Sequence, residues 1–299
     1  MKIRLIYIYV SVNLNTTRVC SLPSYPGVGG HGPVVLTYLE DQRVLAACGS
    51  YYVYGDQSCY QLSPDQPTAW TPLPGDLLND HCPYPWATRS HYLEHHGWLI
   101  VGKEPQDGHC SNRIDAMNSE LLTLQLQWTR TRITSPYHGG YPGNACSVAV
   151  NSSTVIVAGG YNGYGRLSSA WMLDMEDYTW TPLQDMPGPR YYHGCTKTSA
   201  GELIIAGGFD GVSYLSSVYI YNLMTNTWSQ VDDLPAGMEQ YIPVMFLWNR
   251  HPIILESFTS NIWILEEGEW QMMETNLGAK FMGDEDLASI VPSSLFSCV

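Results

Sequence analysis

The chain has 299 residues, 44% of them hydrophobic and 14% charged, a balance that belongs to globular rather than disordered proteins. Its formal net charge of −14 excludes a phosphate-gripping nucleic-acid surface and attachment to anionic lipid, since both need a basic stripe. The acidic residues are spread along the chain, with small concentrations at 266–269 and 284–286 that read as solvated loops.

Residues 1–14, MKIRLIYIYVSVNL, admit two readings. Lys2 and Arg4 ahead of a short apolar run resemble a signal peptide. The run carries two tyrosines and lacks a small-residue cleavage site, which favours a strand followed by a turn at Asn15 and a second strand around Cys20. It is too short to span a bilayer, and no later stretch is long enough either.

From Pro33 the chain falls into units. VVLTYLE and RVLAACGS are two strands, and Gly49 stands 21 residues before Trp70. The second unit has WLIVGK at 98–103 and reaches Trp128 through a longer loop. The third and fourth units are clear copies. Each has a short β-branched run (VIVAG, LIIAG), a glycine pair, a Tyr-rich loop, an aromatic strand, a turn and a tryptophan. Gly159 to Trp180 and Gly207 to Trp228 are each 21 residues, and the copies repeat at an interval of 48. The apolar runs suit strands buried on both faces. The glycines permit positive φ and close approach of a neighbour. The fifth unit, HPIILES and NIWILEEGEW, has no glycine pair and ends on Trp270. In the last segment, LASIV and SLFSC supply two further strands with no outer pair, and the N-terminus offers an outer pair with no inner one.

A repeat near 50 residues whose strand ends in a glycine pair, followed by a tryptophan, resembles the kelch-repeat family of β-propellers over about residues 18–275. The expected fold is all-β: one six-bladed propeller over 1–299, its ring closed by N- and C-terminal segments that share a blade. Blades are expected at about 33–75, 87–131, 144–184, 192–232 and 241–272, with 285–299 joining 3–23. Closure would hide strand edges. The family's arginine before an inner strand matches Arg190 and, less closely, Arg89; at the next junction Met238 and Glu239 stand in its place.

Eight cysteines without a Cys-x-x-Cys pair argue for structural pairs rather than a zinc site. The expected pairs are Cys48 with Cys59, Cys146 with Cys195, Cys82 with Cys110, and Cys20 with Cys298. Asn15 and Asn151 head glycosylation sequons at turns. Together these favour an extracellular or secretory setting; a cytoplasmic protein with buried thiols is the alternative.

Two functions compete. A galactose-oxidase-like copper enzyme would need histidines and tyrosines converging on one metal. His95 and His96 sit at a turn, while the repeat accounts for His91 and His193, so no enzyme, metal or cofactor is expected. The resemblance implies a monomeric protein- or glycan-binding module, with an intracellular substrate adaptor or actin-associated protein as the alternative. Function then lies on loops of one face. Loops inside the blades contribute Tyr161, Tyr164, Arg166, Phe209, Asp210 and Tyr214. Loops between blades contribute Tyr84, Trp86, Arg89, Tyr137, His138, Tyr141, Arg190 and Tyr191. Arg89 and Arg190 also have a structural reading, as bracing between blades.

Overall fold

In a computed structural model the described residues are 10–13, 18–21, 23–27, 33–49, 56–78, 88–103, 117–131, 133–137, 142–235, 243–255 and 261–273. They contain no helix. Strands β1 (Val10–Asn13) and β2 (Arg18–Ser21) form a hairpin. Five four-stranded antiparallel sheets follow in strict sequence order. Blade 1 is β3 (Val35–Leu39), β4 (Val44–Cys48), β5 (Cys59–Ser63) and β6 (Gln66–Pro72). Blade 2 is β7 (Thr88–Leu93), β8 (Gly97–Lys103), β9 (Met117–Leu122) and β10 (Trp128–Arg130). Blade 3 is β11 (Cys146–Ala149), β12 (Thr154–Ala158), β13 (Ala170–Asp174) and β14 (Thr179–Pro182). Blade 4 is β15 (Gly194–Lys197), β16 (Leu203–Ala206), β17 (Val218–Asn222) and β18 (Thr227–Val231). Blade 5 is β19 (Val244–Trp248), β20 (His251–Leu255), β21 (Ile262–Glu266) and β22 (Glu269–Met273).

The arrangement is a β-propeller, and it corrects the expected count: among the described residues there are five four-stranded blades, not six, together with the hairpin β1–β2. The segment expected to supply the inner strands of a sixth, 285–299, lies outside the described residues. The same holds for Tyr84, Trp86, His138, Tyr141, Asn15, Cys82, Cys110 and Cys298, and for the side chain of Cys20.

In blades 1 to 4 the second strand is the most buried, as its composition requires. Every residue of β16 is 0% exposed, and Val155, Ile156, Val157 and Ala158 of β12 are at 1% or below. Strands β12 and β16 have sheet neighbours on both edges and a facing blade on each side, so their central positions are apolar. Apolar clusters lie between successive blades. One joins Val35, Ala46 and Cys59 of blade 1 to Trp98 and Ile100 of blade 2. Another joins Ile156 and Ala158 of blade 3 to Leu203, Ile205 and Tyr221 of blade 4.

The first strands β3, β7, β11, β15 and β19 line one central channel of about 310 Å³. Side chains tie neighbouring strands across it. Thr37 and Ser90 hydroxyls lie 2.6 Å apart, His91 Nε2 is 2.6 Å from Ser147 Oγ, and Cys146 is disulfide-bonded to Cys195. Cys48 and Cys59 are bonded within blade 1, where they face each other across β4 and β5.

Candidate binding face

The loops joining second to third strands emerge beside the loops that enter each blade, and the backbone stitches the two together. In blade 3, Gly143 and Tyr161 exchange backbone hydrogen bonds of 2.9 and 3.0 Å. In blade 4, Tyr191 and Phe209 do the same at 3.1 and 2.8 Å. The glycine pairs make this approach feasible. Gly160 and Gly208 have φ of 90° and 91°, and a Cβ on Gly208 would lie 2.7 Å from His193 Cβ and 2.8 Å from the Tyr191 carbonyl oxygen.

Each loop then folds on a side-chain acceptor. Asn162 Oδ1 receives the N–H groups of Tyr164 and Gly165 at 3.1 and 3.0 Å. Asp210 Oδ1 receives those of Val212 and Ser213, both at 2.7 Å. This Asx turn presents the residue two positions on, Tyr164 or Val212, at the tip. The tips are 64% and 85% exposed. The Ser213 and Val212 amides, helped by the Arg166 guanidinium, hold the Asp210 carboxyl below the usual range, so it is ionised at neutral pH.

Rings connect the two loops into a row. Tyr161 packs on Tyr191 at 6.1 Å, Tyr191 on Phe209 at 5.7 Å, and Phe209 on Tyr214 at 5.0 Å. Tyr192 stacks beside Tyr191 at 4.8 Å. Arg166 reaches from blade 3 to blade 4, where its guanidinium lies over Gly211. Thus Tyr161, Tyr164, Arg166, Tyr191, Phe209, Asp210 and Tyr214 come together on one face. Tyr192 and Val212 join them. Sequence reasoning named neither as a site residue. The available signal was a valine between Gly211 and Ser213, where no core demands it.

Three other candidates lie in the walls. Arg190 is 1% exposed and donates to the Gly207 and Ser217 carbonyls at 3.1 and 3.2 Å and to Ser217 Oγ at 3.1 Å. Its Cζ sits 5.2 Å from the centre of the Tyr219 ring, and burial lowers its pKa. Arg89, inside β7, donates to the Ala145 carbonyl at 2.9 Å. Tyr137 is buried, donates to the Val157 carbonyl at 3.1 Å, and meets Trp171 edge-on. These side chains brace the walls near the junctions between blades, because each donates to a backbone carbonyl distant in the chain.

Burial lowers the pKa of His91 and of His193 to about 3, with nearby arginines adding to the shift. Among the described residues no three His, Cys, Asp or Glu side chains are grouped to hold a metal ion. Among the described residues no helix is long and apolar enough to cross a membrane.

A family model for the KLHDC2/KLHL20/DRC7 Kelch-repeats domain matches residues 90–246. The chain belongs to the kelch-repeat family. Relatives named Kelch domain-containing protein 10 from Rattus norvegicus and Homo sapiens are each 30% identical over 170 residues, covering 54% of this chain and 40% and 38% of theirs. The Xenopus tropicalis protein of the same name is 31% identical over 173 residues, with 54% and 40% covered. The chain therefore spans about two fifths of the length of these kelch relatives.

Proposed function

We propose that this kelch propeller is a non-enzymatic protein-binding module that docks its partner on the loop face of blades 3 and 4. The observation that carries the reading is the row of rings there. Tyr164, Tyr192 and Tyr214 are 64%, 39% and 56% exposed, with Val212 beside them at 85%, while the second strands beneath are buried. Exposed contiguous aromatics on loops held by a rigid scaffold are the usual anchors of an interface. A glycan ligand, which also stacks on tyrosine rings, is the competing occupant of the same face.

The test is affinity capture with the intact chain, run beside a Tyr164→Ala/Arg166→Ala double variant. Both residues are exposed, so the variant should melt as the parent does while its captured partner is reduced about tenfold or more. Equal capture by a folded variant would move the site off this face.

We further infer a secretory or extracellular setting with glycosylation at Asn151. Two bonded cysteine pairs support it. Asn151 is exposed in the turn between β11 and β12, with its Oδ1 accepting the Ser153 amide at 2.9 Å. Mass mapping of the protein from its native source, without reduction, tests both: free thiols at these positions and an unmodified Asn151 would remove the inference.

A further inference from the structure

The binding reading leaves the chemistry of the partner open, and the loop face narrows it. We propose that the aromatic row of blades 3 and 4 receives a cationic, lysine- or arginine-bearing segment of a partner protein. This rests on the reading of that face as a docking surface.

Recognition there has to come through side chains. Isolated bridges pair Tyr161 with Gly143 and Arg166, and pair Phe209 with Tyr191 and Tyr214, so the loop backbone is occupied within the protein. Strand addition to these loops is disfavoured, and ring faces are the surface on offer. The face of a tyrosine ring is the negative end of its quadrupole and attracts ammonium and guanidinium groups.

The charges around the row have the matching sign. Asp185, Asp210, Asp232 and Asp233 stand on the loops that leave blades 3 and 4 at this end. Three arginines described on this face are already placed. The Arg166 guanidinium lies over Gly211 beside Asp210, Arg190 is turned down to Gly207, Ser217 and Tyr219, and Arg130 is held on the Leu78 carbonyl at 2.9 Å. The net charge of −14 draws a basic partner in at long range and repels an acidic one.

The experiment pans a displayed library of random peptides on the immobilised full chain, then titrates the enriched peptides against parent and variants. The expected result is enrichment of peptides with net positive charge. Their affinity should fall about tenfold or more in Tyr164→Ala/Tyr214→Ala, and survive in Tyr164→Phe/Tyr214→Phe, which keeps the ring faces. Raising salt from about 50 to about 500 mM should weaken binding about fivefold or more. Asp210→Asn, which preserves the loop-closing acceptor, should cost about threefold. If the enriched peptides are acidic, neutral or proline-rich yet still lost in the double alanine variant, the docking face stands and the cationic partner is wrong. If basic peptides bind the double alanine variant as well as the parent, this proposal and the placing of the site both fall. A library without enrichment, or better binding of a sugar array, also overturns the proposal.

Discussion

Trp70 on the outer strand of blade 1 donates its indole N–H to the carbonyl of Pro23, just beyond the N-terminal hairpin, at 2.9 Å. The same bond recurs around the propeller. Trp128 donates to Gly75, Trp228 to Gln184 and Trp270 to Asp232, at 3.3, 2.9 and 3.3 Å. In every case the acceptor lies just past the outer strand of the preceding sheet. A second correspondence agrees. Tyr25 packs edge-on against Tyr60 of β5, as Tyr137 packs against Trp171 of β13. The hairpin β1–β2 therefore stands to blade 1 as each blade stands to the next.

Removing that indole donor should weaken the fold measurably. Trp70→Phe leaves the Pro23 carbonyl without its partner and should cost about 0.5–1.5 kcal/mol in chemical denaturation. Trp180 is the contrast, because its Nε1 is buried without a partner among the described residues. Trp180→Phe should be neutral or stabilising, since it removes an unsatisfied polar group. A larger loss for Trp180→Phe than for Trp70→Phe would contradict this assignment of the bonds.

The glycine pairs make a second contrast. Gly208 has φ of 91° and meets His193 and the Tyr191 carbonyl, whereas Gly188 has φ of 98° with nothing within 4 Å of an added Cβ. Alanine at Gly188 should cost only the backbone strain, about 1 kcal/mol. Alanine at Gly208 adds steric overlap on both sides and should cost about 2–4 kcal/mol, read as a lowered denaturation midpoint.

The two disulfides should differ in weight. Cys48 and Cys59 are 11 residues apart, while Cys146 and Cys195 are 49 apart and join separate blades. Loop-closure entropy assigns about 3 and about 4 kcal/mol to them, in a model that ignores native strain. Thermal unfolding of the Cys→Ser pairs should rank the inter-blade bond as the more stabilising. It should also loosen the contact of Tyr161 with Tyr191, which crosses the same seam.

Acid should destabilise the propeller through two histidines, His193, which is buried, and His91, half-buried in the channel wall. His91 and His193 have folded pKa values near 3, against 6.5 for the exposed side chain. The unfolded chain therefore binds more protons than the native one between those values. Stability is fully present above pH 6.5 and is lost as pH falls toward 3, at about 1.4 kcal/mol per pH unit for each group. Urea midpoints between pH 7 and 5, where most carboxylates stay ionised, should fall. Replacing each histidine by glutamine should flatten the slope.

Much of this architecture was legible locally. VIVAG and LIIAG announced strands buried on both sides, and β12 and β16 are such strands. The spacing of Gly159 to Trp180 and of Gly207 to Trp228 announced the repeat because one blade is a local unit of the chain. The loop residues that cluster, such as Tyr164 and Tyr214, were legible for the same reason: strand order alone decides which end of a sheet a loop leaves. The fates of Arg89, Arg190 and Tyr137 were not. Arg190 and Tyr137 lie on connections between blades and find their acceptors on strands or loops 17 to 27 residues further on, and Arg89 of β7 finds one 56 residues on, so the burial of each depends on neighbours that the local pattern does not contain.

The sequence by itself determined the family, the all-β character and the four-strand unit, since these follow from alternation, glycine placement and repeat length. Tertiary structure decided that five four-stranded sheets stand among the described residues, and that two arginines and a tyrosine brace the walls while Tyr192 and Val212 reach the surface. The reason is geometric. A blade's own strands set its edges, but only the adjoining blade determines which groups are left facing water.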